Sequence, residues 1–269
     1  EIYTLSLHDA LPISGSKTGL TTAEYAAEVA SLGFEAVFSG VPTPEKAAEI
    51  GNILAQNGLA WETMHAPFGH INDIWYDREG GIAMYRELTN GVDRCREMDV
   101  PILVVHLSSG HFPPPITDIG RARFASLVEY AVGKGVKIAF ENQRMLANIA
   151  WAFEAFQGVP EVGFCYDCGH EFCFTPGRQY MPLFGNRLIC THIHDNDCMY
   201  DHDMHMIPFD GAVDYDRVTR QIRESGFSGT LMLEVLAKNS TAYDETDIHT
   251  YLARAAAAAK RLRVMTDGE

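Results

Sequence analysis

No apolar run in this 269-residue chain approaches the ~20 residues that a membrane-spanning helix requires, so no such span is expected. Basic residues are scarce: 21 Lys and Arg against 36 Asp and Glu leave a formal charge of −15. That sign repels phosphate backbones and anionic lipid, which disfavours broad nucleic-acid or membrane-surface binding. Also missing are a GxGxxG after an early strand and a GxxxxGK[ST] anywhere, so dinucleotide and P-loop sites have no support. The six cysteines (Cys95, Cys165, Cys168, Cys173, Cys190, Cys198) are too dispersed for the disulfide framework of a small secreted domain. They read as reduced thiols of a cytoplasmic protein. Cys165 and Cys168 form a CxxC with no second pair to complete a zinc site, so buried thiols are the expectation.

The opening EIYTLSLHDALPIS lacks an initiator Met, and its short apolar core has no basic flank and no clear cleavage site. It resembles translated read-through of a sequencing-library adapter. Residues 1–14 are therefore expected to be a non-native leader that alters the first strand, with one domain over 15–269. IYTLSL also reads as an ordinary strand.

From Leu20 onward, helix-like and strand-like segments alternate. TTAEYAAEVASLGF, PEKAAEIGNILAQNGL, GIAMYRELTNGVDRCREMDV, RARFASLVEYAVGKG, ANIAWAFEAFQGV, DYDRVTRQIRESGF and YLARAAAAAKRLRVM carry helical periodicity. Between them lie the apolar runs FEAVFSG, AWETMHA, PILVVH, VKIAFEN, VGFCYD, RLICTHIHD and GTLMLEV. Continuous rather than alternating apolar runs suit a parallel sheet buried on both faces. Seven such units plus whatever the N-terminus supplies fit an α/β fold of the (β/α)8 TIM-barrel type; an open doubly wound sheet is the competing architecture.

Six consecutive strands end in an imidazole or a carboxylate: His65, His106, Glu141, Asp167, His192 and Glu234. Singly, each reads as a hydrogen-bonded core residue or an ion-pair partner. Together, on the one face where barrel strands converge, they would be costly to pack without a shared cation or proton. His170 follows Asp167 by three residues, within one helical turn; Asp203 and His205, two apart, point the same way from an extended loop. Mixed Asp, Glu and His donors suit Zn2+, Mn2+, Co2+ or Fe2+. His192 and His194 share one strand face, with Cys190 a layer below, whereas Asp197, Asp201 and His202 are expected to be solvated.

HAPF, VVH, FEN, DCGH, HIHDND, DMHMIPFDGAVDY and LMLEV, in this order, resemble the xylose isomerase-like barrel superfamily. That superfamily includes sugar isomerases and epimerases, inosose dehydratases, hydroxypyruvate isomerases and endonuclease IV. The resemblance covers the chain from about Leu20. It implies one divalent metal (Mn2+, Co2+ or Zn2+) on Glu141, Asp167, His192 and Glu234. Glu141 and Glu234 would be the catalytic acid and base of a proton transfer through an enediolate, with His170 touching the substrate. The implied partner is a small sugar, polyol or keto acid; the charge argues against nucleic acid and the lack of a long apolar run against a membrane span, and these barrels often pair as homo-oligomers.

The extra ligands of an endonuclease IV-like three-zinc site correspond to His65, His106, His170, Asp203 and His205, so a multi-zinc phosphodiesterase is an alternative, as is a dehydratase-type lyase. The loops LSSGHFPPPITDIG and DNDCMYDHDMHMIPFDG contain no Lys or Arg, which favours the small molecule over DNA. Scarce cations also disfavour a phosphorylated sugar, although Arg144 and Arg178 are candidates to reach one. Two positions depart from the family: Cys198 stands where ketose 3-epimerases carry Arg, and His194 where Lys is common. Trp75, Tyr76 and Phe112 are candidates for stacking on a sugar, against ordinary loop packing.

Overall fold

A computed structural model describes residues 3–6 and 19–268. The strands are β1 (Tyr3–Ser6), β2 (Ala36–Gly40), β3 (Ala60–His65), β4 (Ile102–Val105), β5 (Lys137–Glu141), β6 (Val162–Asp167), β7 (Leu188–His192) and β8 (Leu231–Leu233). Helices α1 (Thr22–Ser31), α2 (Pro44–Gln56), α3 (Glu79–Glu97), α4 (Asp118–Lys134), α5 (Leu146–Ala155), α6 (Cys168–Phe174), α7 (Met181–Phe184), α8 (Tyr215–Glu224) and α9 (Ile248–Asp267) alternate with them.

Local chemistry sets the helix starts. Thr21 and Glu24 form a reciprocal capping box at α1, Thr43 caps α2 just before Pro44, and Asp214 and Asp247 cap α8 and α9. Helix α4 begins at Asp118, three residues before the periodic stretch, because the Thr117 hydroxyl accepts from Gly120 N–H. It stops at Gly135, whose φ of +74° an ordinary side chain would resist.

β2 to β7 form an unbroken run of six parallel strands, each paired with its sequence neighbour. The whole order is β7-β6-β5-β4-β3-β2-β1-β8. At its two ends Ile193 and Leu233 form a parallel bridge, with Ile193 N–H donating to Met232 O and Glu234 N–H to Ile193 O. The result is an α/β, barrel-like fold with a curled parallel sheet, and the doubly wound alternative falls away. β1 lies within the segment 1–14 that the sequence sets aside, and its backbone pairs with β2 and β8. The rest of that segment, and a domain start at 15, lie outside the described residues.

The main core lies between the strands and the helices. A smaller cluster of Ile102, Val104, Ala139, Cys165 and Cys190 fills the sheet's inner side, so Cys190 does sit beneath His192. All six cysteines are free thiols. No helix among the described residues is long and apolar enough to cross a membrane.

Candidate metal centre

Parallel strands present their carboxyl ends on one face. His65, Glu141, Asp167 and His192 are the last residues of β3, β5, β6 and β7, and His106 and Glu234 follow β4 and β8 directly. All six are buried, Glu141 to 1% exposure and Glu234 to 8%. Asn142 locks two of the strand ends together: its side chain donates to Asp167 O and accepts from Asp167 N–H, each at 2.8 Å.

Glu141, Asp167, His192 and Glu234 each place one donor atom within 4.8 Å of the others. His192 Nδ1 lies 3.2 Å from Glu234 Oε2 and 3.6 Å from Glu141 Oε1, and Phe38 of β2 stacks on its ring at 4.9 Å. Both ring nitrogens of His192 are buried without a hydrogen bond. Three carboxylates around one unsatisfied imidazole form a set that a divalent cation would complete.

Two further groups adjoin it. In the first, His65 Nε2 and His106 Nε2 are each 3.0 Å from Glu141 Oε2 and 3.1 Å from one another. His65 Nδ1 donates to Ala66 O at 2.8 Å; a carbonyl only accepts, so in the neutral ring the Nε2 lone pair faces the carboxylate. Such an approach is repulsive unless a proton or a metal ion stands between. In the second group, His170, His194, Asp203 and His205 have donor atoms within 4.8 Å of one another. His205 Nδ1 donates to Glu234 O at 2.8 Å, which turns Nε2 toward Asp203 at 3.2 Å. His205 holds this pose with φ of +46°, an uncommon conformation for a non-glycine residue.

Burial alone would lower the pKa of each imidazole. Against it, Asp167 and Asp203 hold His170 well above the ordinary 6.5, and Glu234 and Glu141 do the same for His192. His205 rises to about 9 through Asp203. For His106 burial prevails over Glu141 and the value falls. Burial would raise Glu141 and Glu234, yet the neighbouring imidazoles, His106 and His192 for the first and His192 for the second, hold both low.

A cavity of about 550 Å3 opens onto this cluster, a size suited to a small molecule. Glu141, Glu234, His65, His106, His170, Asp203 and His205 line it, while Asp167, His192 and His194 stand behind the surface. Its aromatic walls are Phe68, stacked on His106 at 4.5 Å, and Phe174, stacked on His170 at 4.5 Å. Neither was anticipated, and Trp75, Tyr76 and Phe112 are not among the lining residues. Trp75 is 1% exposed, donates through Nε1 to Leu107 O, and lies so close to Gly120 that a Cβ there would sit 2.0 Å from its ring. Loop packing is its role. Phe112 is 95% exposed.

Gln143 was also missed. Its Nε2 lies 3.1 Å from His170 Nδ1 and 3.2 Å from His106 Nε2, and its position two after Glu141, on the same face of an extended chain, was the available signal. Arg144 lines the cavity, stacked over Phe174 at 3.6 Å and paired with Asp201; Lys238 and Asn239 line it too, but Arg178 does not. Asp201 also meets His111 at 3.1 Å, so it is a partly exposed ion-pair partner and joins none of the donor clusters. Asp197 and His202 pair with each other in the loop.

That loop is organised by buried Asp195. Its carboxylate accepts from the N–H groups of Asn196, Phe209, Gly211 and Val213 at 2.8 to 3.0 Å. Gly211 approaches so closely that a Cβ would sit 2.4 Å from Asp195 Oδ1.

The profile of the xylose isomerase-like TIM barrel family matches residues 26–266. An uncharacterized protein of Sinorhizobium fredii, y4fM, is 37% identical over 173 residues, 59% of this chain and 54% of its own length. Another uncharacterized protein, MJ1311 of Methanocaldococcus jannaschii, is 23% identical over 188 residues, 64% of this chain and 63% of its own. The chain thus spans little more than half the length of these curated relatives. Among solved structures, a D-tagatose 3-epimerase-like protein superposes with a TM-score of 0.76 at 18% identity, covering 100% of this chain and 99% of its own. D-psicose 3-epimerase of Clostridium cellulolyticum gives 0.79 at 12%, covering 99% of each chain. A xylose isomerase domain protein of Alicyclobacillus acidocaldarius gives 0.72 at 20%, covering 99% and 98%. At these identities the likeness carries the fold.

Proposed function

Because the chain belongs to the xylose isomerase-like TIM barrel family, we propose that it is a divalent-metal-dependent isomerase or epimerase of a sugar or a related polyol or keto acid. In this reading the chain forms a single (β/α)8 barrel, with β1 as its first strand and closure at the β7–β8 junction, that works in the cytoplasm. The observation that carries the proposal is the buried set of Glu141, Asp167, His192 and Glu234, with donor atoms within 4.8 Å of one another beneath a cavity of about 550 Å3. The sugar epimerases named in the structural comparisons share the fold.

Those four residues would hold the ion, and their oxygen-rich donor set suits Mn2+, Co2+ or Zn2+. Bound there, the ion supplies Lewis acidity toward a substrate carbonyl and the adjacent hydroxyl. Glu141 and Glu234 both reach the cavity; one takes a proton from carbon and the other returns one, by way of an enediolate. His170 lines the same cavity, with Nδ1 3.1 Å from Glu141 Oε1, and hydrogen-bonds the oxygen on which charge develops. Phe68, 43% exposed, offers an apolar face to the C–H side of a sugar, while Phe174, with His170 and Arg144 on its ring, walls the cavity.

Metal analysis followed by deuterium uptake from D2O over a ketose and inositol panel tests the reading. About one equivalent of metal and deuterium at the carbon beside the carbonyl are expected; a metal-loaded protein that exchanges no proton into any member of the panel sinks it. A second reading, a multi-zinc phosphodiesterase, is favoured by the two adjoining clusters at His65–His106–Glu141 and His170–Asp203–His205. Three zinc equivalents together with cleavage of an abasic duplex would establish it instead.

A further inference from the structure

His194 is fully buried, and the structure gives it a seat made for a ring. One face stacks on His205, with centroids 4.0 Å apart and planes at 14°. Against it lies Gly169, where a Cβ would stand 2.0 Å from His194 Cε1 and 2.4 Å from Nδ1. Hemmed in by His205, the ring cannot swing aside, so any residue larger than glycine at 169 would expel it. Two further contacts tie the segments together: Asn196 Nδ2 donates to Gly169 O at 3.0 Å, and Cys168 Sγ–H to His194 O at 3.5 Å.

The seat aims Nε2 at Asp167, 3.1 Å from Oδ1 and 3.2 Å from Oδ2. An ionised carboxylate only accepts, so Nε2 carries the proton and forks across both oxygens. The nearest Asp203 oxygen is farther away, at 3.8 Å. Asp167 Oδ1 also accepts from His170 N–H at 2.6 Å, so its orientation is held from two sides.

We infer that His194 is a positioning residue that holds Asp167 in the orientation needed to bind metal, and that Gly169 is required to seat it. The inference rests on the reading of Asp167 as a metal ligand. It also explains why the DCGH element carries glycine at its third position: the space is occupied by a ring from the neighbouring strand end.

Titration of the metal-free protein with Mn2+ or Co2+ tests it, using the metal dissociation constant rather than turnover. His194→Phe keeps a ring in the slot but removes the N–H. Losing an outer partner of a metal ligand typically costs about 10–100-fold in affinity, and that loss is expected here, with the melting temperature of the metal-free variant little changed. His194→Gln, which restores an N–H donor, should recover part of the loss, and Gly169→Ala should reproduce it. Unchanged affinity in His194→Phe overturns the inference, because the ring would then only fill space. Disappearance of one whole metal equivalent, with the remainder bound as before, also overturns it, because His194 would then be a ligand. Asp167→Asn separates the two claims. If that variant binds metal like the wild type, the underlying reading fails; if it loses metal while His194→Phe does not, only the positioning role fails.

Discussion

His192 Nδ1 lies 3.2 Å from Glu234 Oε2, and this contact spans the junction of β7 and β8, the two ends of the strand order. The proposed ligand set is therefore completed only when the curled sheet brings its edges together. Site and tertiary closure are one event, and perturbing either should register in the other.

Replacing Glu141 or Glu234 by Gln removes a group that can accept a proton while keeping its shape. Each variant should lose about 100- to 10,000-fold in turnover, the usual contribution of a general acid or base. Deuterium exchange into a verified substrate measures this. Wild-type exchange in either variant rules out the two-carboxylate scheme.

Metal should stabilise the fold, since the donors converge only in the native state. At a free ion concentration a hundredfold above the dissociation constant, the gain is about 2.7 kcal/mol. Thermal melts with and without chelator should show it in the wild type and much less in His192→Gln. An equal gain in both would place the ion elsewhere.

The metal-free protein should have an asymmetric pH profile. His170, His192 and His205 titrate above the ordinary 6.5, His205 at about 9. Their stabilising contribution is therefore complete below about 6.5 and is lost as the pH rises through their folded values. Glu141 and Glu234, held below the ordinary 4.5, contribute above about 4.5 and lose that contribution as the pH falls through their folded values. His106, lowered by burial, destabilises the native state below about 6.5. Maximum stability should thus sit near pH 6.5, with a decline toward pH 9 that added metal abolishes. Urea unfolding at pH 5, 6.5, 8 and 9 with chelator reads this directly, and a flat profile from 6.5 to 9 contradicts it.

Phe68 and Trp75 should respond in opposite ways. Phe68 walls the cavity and is 43% exposed; Phe68→Ala should raise KM about tenfold, the equivalent of ~1.4 kcal/mol, with little change in melting temperature. Trp75 is packed on Phe124 and Trp151. Trp75→Ala should destabilise the protein by about 3–5 kcal/mol and leave KM of the surviving native fraction unchanged. A KM effect in Trp75→Ala without destabilisation would reverse the assignment.

The ring of charged strand ends was legible because a parallel strand shows itself as a short apolar run, and a lone polar residue at its carboxyl end stands out. Phe174, four after His170 on α6, and Gln143, two after Glu141 in extended chain, escaped the sequence reading although their spacing pointed to them. Phe68, Lys238 and Asn239 reach the cavity from loops whose path no periodicity records. Trp75 misled for the same reason: only the fold reveals that Gly120 lies beneath it. His194 was legible as a neighbour of the site, but its seat depended on a glycine twenty-five positions earlier.

The four N–H groups gathered by Asp195 come from residue 196 and from residues 209, 211 and 213, so both ends of the intervening loop are fastened to a single carboxylate. Asp203 and His205 ride on the span between. Such a clip fixes the path of that span over the strand ends, so the positions of Asp203 and His205 at the cavity depend on a carboxylate that does not itself line it.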